Sequence, residues 1–184
     1  IVQPPMLTVQ IVCSSPTACC GSPIILNANA SGGVPGFVQS YSYNWQGGPG
    51  APQYTITEDF GGSYSYTVTV LDSNNCLGSQ SINVVFVPNP TLQMSTASVC
   101  PYYTATLTAS GATSYTWNPN SQMSGVGTVY TVSPGNTNQQ VLIGSSLGCT
   151  AIAFSQAEFL SVPFPTLSSN SPVCLGSSLN FSCL

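Results

Sequence analysis

Residues 62 to 71 alternate with a period of two. In Gly62-Ser63-Tyr64-Ser65-Tyr66-Thr67-Val68-Thr69-Val70-Leu71, Tyr64, Tyr66, Val68 and Val70 fall on one face and the hydroxyl residues on the other. That period marks a half-buried β-strand. Ser81-Ile82-Asn83-Val84-Val85-Phe86-Val87 and Thr106-Leu107-Thr108-Ala109 alternate in the same way, and Asp72-Ser73-Asn74-Asn75 between the first two reads as a turn. Tyr43-Asn44-Trp45 and Tyr115-Thr116-Trp117 each set two aromatics two residues apart, on one face of a strand, where they are expected to be core aromatics. No stretch sustains a helical period. Short strands separated by Gly, Pro and Asn turns predict an all-β chain built of antiparallel sandwiches.

The pattern recurs. Val2-Gln3-Pro4-Pro5-Met6-Leu7, Val87-Pro88-Asn89-Pro90-Thr91-Leu92 and Val162-Pro163-Phe164-Pro165-Thr166-Leu167 share the form Val-x-x-Pro-x-Leu. Each is followed by a Ser/Thr-rich stretch, a cysteine and an alternating strand. The spacing suits one β-sandwich per repeat and is too long for a solenoid. The expected organisation is the end of a preceding repeat at 1–3, one domain at 4–88, a second at 89–163, and the opening strands of an incomplete further domain at 164–184. A stub of ~20 residues cannot bury a core alone, so more chain or a neighbouring molecule is expected to complete it. The opening on Ile1-Val2, without a start methionine, reads as a segment of something longer.

Composition narrows the function sharply. The chain contains no lysine, arginine or histidine, and its only charges are Glu58, Asp59, Asp72 and Glu158. There is no imidazole base, no Schiff-base lysine and no cationic clamp for phosphate. Contacts to a nucleic-acid backbone are excluded for the same reason. A thiol or hydroxyl nucleophile would have no activating base, so catalysis is not expected. The longest apolar runs, such as Val84-Val85-Phe86-Val87, fall far short of the ~20 residues that span a bilayer. A neutral Ser/Thr/Asn/Gln surface has little charge repulsion, which favours self-association.

The order cysteine, alternating strand, Tyr-x-Trp, then Gly62-Ser63-Tyr64-Ser65-Tyr66-Thr67-Val68-Thr69-Val70-Leu71-Asp72 and Cys76 resembles the PKD and Ig-like repeats of large secreted Bacteroidetes surface proteins. Gliding-type adhesins and other type IX secretion cargo are among those proteins. Thr106 to Trp117 carries the likeness in the second repeat, although the Gly-x-Tyr strand there is degraded to Asn138-Gln139-Gln140-Val141. The resemblance implies tandem Ig-like sandwiches, an extracellular location and a structural or adhesive role.

Eight cysteines without histidine or a Cys-x-x-Cys pair point to disulfides in an oxidising compartment, not to zinc. In the logic of the repeat, Cys100 is expected to pair with Cys149, and Cys19 or Cys20 with Cys76, each bond linking the first strand of a domain to the start of its last. Closing such a loop is worth ~4 kcal/mol. Cys13 is left for the spare member of Cys19-Cys20, with other connectivities open. Cys174 is expected to pair outside the segment and Cys183 to be a buried thiol. Asp72 with Glu58 and Asp59 is a weak calcium candidate, because Asp72 opens a turn and adjacent Glu58-Asp59 point to opposite faces of a strand. Tyr41, Tyr43, Tyr54, Tyr102 and Tyr103 are candidates for stacking on sugars, with core packing as the default. The expected function is a non-enzymatic stalk. A filament subunit joined by strand addition and a glycan-binding module are the alternatives.

Overall fold

The computed structural model describes residues 4–34, 41–100, 102–118, 124–134, 139–162, 166–178 and 180–183, with backbone alone for 181–183. The expected preceding repeat at 1–3, the junction residues 163–165 and Asn138 lie outside the described residues. Among the described residues every regular element is a strand. Two compact units are present: Ile1–Thr91 with Gly144–Ala151, and Leu92–Ile143 with Ile152–Leu184.

The first repeat folds as two sheets. Strands β1 (Thr8–Cys13), β3 (Ile24–Ser31) and β5 (Gln53–Ile56) form one, in the order β1-β3-β5. Strands β2 (Thr17–Cys19), β4 (Ser42–Trp45), β6 (Gly62–Leu71) and β7 (Leu77–Val87) form the other, ordered β2-β7-β6-β4. The β6–β7 ladder is antiparallel without interruption from Gly62 opposite Phe86 to Leu71 opposite Leu77. Alternation sorts its side chains: Val68, Val70, Val84 and Phe86 turn inward and meet Ile24, Leu26, Ala28 and Ile56 from the opposing sheet. Each such aliphatic or aromatic side chain contributes roughly 1.5–3 kcal/mol by leaving water. Trp45 is 1% exposed, and its indole Nε1 donates to the Ala51 carbonyl at 3.0 Å, so burial leaves no donor unpaired.

The second repeat uses the same order. Strands β8 (Gln93–Met94), β10 (Ala105–Ser110) and β13 (Val129–Val132) make one sheet, with β10 central. Strands β11 (Ser114–Trp117), β12 (Gly125–Val126), β14 (Gln140–Ser146) and β15 (Cys149–Ser155) make the other, ordered β12-β11-β14-β15. The last strand continues past Gln156 as β16 (Ala157–Phe159), which pairs in parallel with β9 (Ala97–Val99). Leu107, Trp117, Val132 and Leu142 are buried in a second core, and the Trp117 indole donates to Gly127 O at 2.8 Å. The degraded strand is accordingly short: β14 begins at Gln140 and ends at Ser146, whereas β6 spans Gly62–Leu71.

This strand order, with one short parallel strand flanking the last, is that of an Ig-like antiparallel sandwich. Tyr64 adds a corner typical of the fold, its hydroxyl donating back to the Phe60 carbonyl at 2.9 Å. Beyond the second repeat, β17 (Leu167–Ser169) and β18 (Phe181–Cys183) pair antiparallel with each other.

Candidate functional site

The parallel strand pairs decide where the cysteines stand. Cys19 closes β2, directly opposite Val87 at the end of β7. Cys76 sits just before Leu77, where β7 begins. The two are thus at opposite ends of a strand that rises ~3.3 Å per residue, roughly 35 Å apart, while a disulfide needs Cα atoms within ~7 Å. Cys100 and Cys149 are separated in the same way. Val99 faces Phe159, so Cys100 lies at the far end of the β15–β16 stretch that Cys149 opens.

Neither expected pairing forms. The structure bonds Cys19 to Cys149 instead, with Cα atoms 5.6 Å apart across a sequence separation of 130. Cys149 belongs to the Gly144–Ala151 segment that clusters with the first unit. Cys76, Cys100 and Cys174 are exposed thiols, and Cys13 and Cys20 are half-buried thiols. The last two correct the expected Cys13 bridge: both pack against the first core, where a thiol serves as a small hydrophobe. The tryptophan of each repeat is held by aromatic packing. Trp45 meets Tyr54 at 5.7 Å between ring centroids, and Trp117 stacks on Tyr130 at 5.2 Å. Tyr115 is buried and Tyr43 half-buried.

The turn before β7 is organised by Asp72. Its Oδ1 accepts from the amides of Asn74 at 2.9 Å and Cys76 at 2.8 Å, and its Oδ2 accepts from the Val34 amide at 2.9 Å. The Val34 amide above all, helped by those of Cys76 and Asn74, holds the carboxyl below its ordinary pKa against an opposing push from desolvation. Desolvation and the neighbouring carboxylate push the Cys76 thiol the other way, upward. Turn geometry matches: Asn75 adopts φ 62°, which asparagine tolerates. The corresponding turn of the second repeat uses Leu147 at φ 52° and Gly148 at φ 82°.

These bonds bear on the calcium candidates. Both Asp72 oxygens face N–H donors, the polarity a cation does not need. Glu58 is half-buried, its Oε1 accepting from the Tyr66 hydroxyl at 2.7 Å, and Asp59 is exposed. Burial and that bond raise the Tyr66 pKa. Among the described residues no group of three or more His, Cys, Asp or Glu side chains is placed to hold a metal. Glu158, the remaining acid, accepts from the Ser98 hydroxyl at 3.1 Å.

The tyrosines divide by environment. Tyr41, Tyr43 and Tyr54 pack on the rim of the first core, and Tyr41 donates to the Gly32 carbonyl at 2.9 Å. Tyr102 and Tyr103, by contrast, are 86% and 70% exposed, just after Cys100. The sequence carried no signal for that split beyond the loss of alternation after Val99. No described helix is long and apolar enough to cross a membrane.

No family model and no curated protein matches the chain. Solved structures similar to it contain several domains each. Three N-terminal domains of the bacteriophage RB49 highly immunogenic outer capsid protein are 15% identical, with 97% of this chain and 70% of that one covered and a TM-score of 0.40. The four N-terminal Ig domains of Sidekick-1 are 14% identical, covering 88% and 50%, with a TM-score of 0.43. The first eight Ig domains of the Down syndrome cell adhesion molecule are 13% identical, covering 89% and 25%, with a TM-score of 0.42. The chain therefore spans half of the Sidekick-1 fragment and a quarter of the cell-adhesion fragment.

Proposed function

We propose that this chain is a structural and adhesive segment of an extracellular surface protein, a run of Ig-like sandwiches that resists extension and performs no catalysis. The observation that carries this reading is the Cys19–Cys149 bond, which locks a sequence separation of 130 against stretching. Its stability requires an oxidising compartment, which argues for a site outside the cytoplasm. Composition supports the same reading, since the chain has no lysine, arginine or histidine to activate a nucleophile or clamp a charged substrate. The repeats, the Pro88-Asn89-Pro90 junction that limits bending, and the near-neutral surface are those of a stalk. The surface proteins of Bacteroidetes are the parent class we favour.

Force spectroscopy tests it. Pulled from its two ends, the oxidised chain is expected to stop short, and a reductant should release up to roughly 450 Å of further contour, at ~3.5 Å for each locked residue. Identical extension with and without reductant would refute the structural reading. A second reading has one observation in its favour: adjacent Tyr102 and Tyr103 offer rings to solvent and could stack on sugars. Glycan binding that persists after Tyr102→Ala and Tyr103→Ala would exclude it.

A further inference from the structure

The short parallel strands of the two repeats carry the same arrangement. In the first, β2 lies along β7 with Ala18 beside Phe86 and Cys19 beside Val87. In the second, β9 lies along β16 with Ala97 beside Ala157 and Ser98 beside Glu158. Ala18 and Phe86 pack into the first core as Ala97 and Ala157 pack into the second. One residue further on, the outward pair Cys19 and Val87 therefore corresponds in position to Ser98 and Glu158. The two outward pairs differ in what covers them. The Gly144–Ala151 hairpin, which joins β14 to β15, belongs to the first unit and sits on the Cys19–Val87 pair. Cys19 Sγ lies 3.9 Å from the Gly148 carbonyl oxygen, Cys149 Sγ lies 3.8 Å from that of Val87, and the two sulfurs are bonded. Under that hairpin Cys19 and Val87 are half-buried, whereas Ser98 and Glu158 are exposed. The latter pair lines a groove of about 500 Å³ with Thr96, Gln156 and Phe159.

We infer that this groove is the seat for the corresponding hairpin of a third repeat, the one that β17 and β18 open, and that it holds that hairpin by hydrogen bonds where the first seat uses sulfur. The opening of the third repeat follows the pattern of the other two. Strand β17 pairs antiparallel with β18, as β8 does with β10 and β1 with β3. Both complete sandwiches go on to a hairpin into the last strand, β6 to β7 and β14 to β15.

The residues that replace Cys19 and Val87 set the chemistry of the second seat. Serine at position 98 cannot form the sulfur bond. Glu158 supplies another grip: its Oε2 accepts from the Ser98 hydroxyl at 3.1 Å, its one partner among the described residues. The chain has no cation to claim the remaining oxygen. A hairpin tip carries backbone N–H groups that lie outside the ladder, the donors a carboxylate binds most strongly. Thr96 and Gln156 can donate to the carbonyls of the same tip. The first joint is thus covalent and the second reversible.

The inference rests on the reading of the chain as a run of sandwiches, yet the two can fail separately. Hydrogen exchange with pepsin digestion is measured on residues 1–184 and on the full-length protein, over a range of concentrations. Peptides covering 96–98 and 156–159 should exchange about tenfold or more slowly in the full-length protein, the scale of one charge-assisted hydrogen bond, with peptides covering β4 unchanged. Glu158→Ala in the full-length protein should return them to the rate seen in 1–184 and speed exchange in the third repeat's hairpin. The Cys19–Cys149 link should stay in the peptide map of that variant. Equal exchange in the two chains, a full-length protein without a third sandwich, or a third hairpin indifferent to Glu158→Ala would overturn the inference and leave the structural reading in place. Protection that grows with concentration would assign the groove to a second copy and overturn it as well. A map lacking the Cys19–Cys149 link would overturn both.

Discussion

Asp72 satisfies three backbone amides with one carboxylate, so its titration should be felt by the turn that carries Cys76. Its folded pKa lies below the ordinary 3.8. Stabilisation from the ionised form is therefore fully present above about pH 4 and disappears as pH falls through the lower folded value. The melting temperature of the wild-type chain should drop on acidification below about pH 4, and Asp72→Asn should flatten that drop. Equal acid slopes in the two proteins would show that Asp72 does not couple to folding. Leu147 makes a second residue-scale case. A leucine at φ 52° strains its Cβ against the backbone, and at 84% exposure it recovers no packing. Leu147→Asn would create Asn-Gly, the pair suited to a two-residue hairpin turn, and should stabilise by about 0.5–1 kcal/mol in denaturant unfolding.

Among the strands, periodicity carried most of the fold. Strands β6, β7 and β10 alternate in sequence and alternate in burial, with Ala105, Leu107 and Ala109 inward and Thr106, Thr108 and Ser110 outward. Leu107→Ala should cost about 2–5 kcal/mol by chemical denaturation, whereas Thr106→Ala on the solvent face should stay within about 0.5 kcal/mol. Comparable costs at both sites would mean the inward face is misassigned. The short strands β2 and β9 were not legible, because three residues hold no readable period. Their direction was hidden too. Parallel pairing sends Cys19 to the finish of β7 and Cys76 to its start, which is why matching cysteines by repeat position proposed bonds that the topology forbids. Asp72 was read as a turn residue from its neighbours alone, but its bond to Val34 joins positions far apart in sequence, and no local pattern signals it.

For the whole molecule, the missing bases were the most legible fact, since composition alone removes most chemistry. The linkage between Cys19 and Cys149 was the least legible, because its two cysteines stand 130 positions apart and no local pattern pairs them. That linkage encircles the Pro88-Asn89-Pro90 junction and most of both sandwiches. A single backbone scission anywhere inside the ring would leave the severed pieces tethered through sulfur. An attacking protease would have to strike outside the ring, or act together with a thiol donor, before any part of the segment is shed.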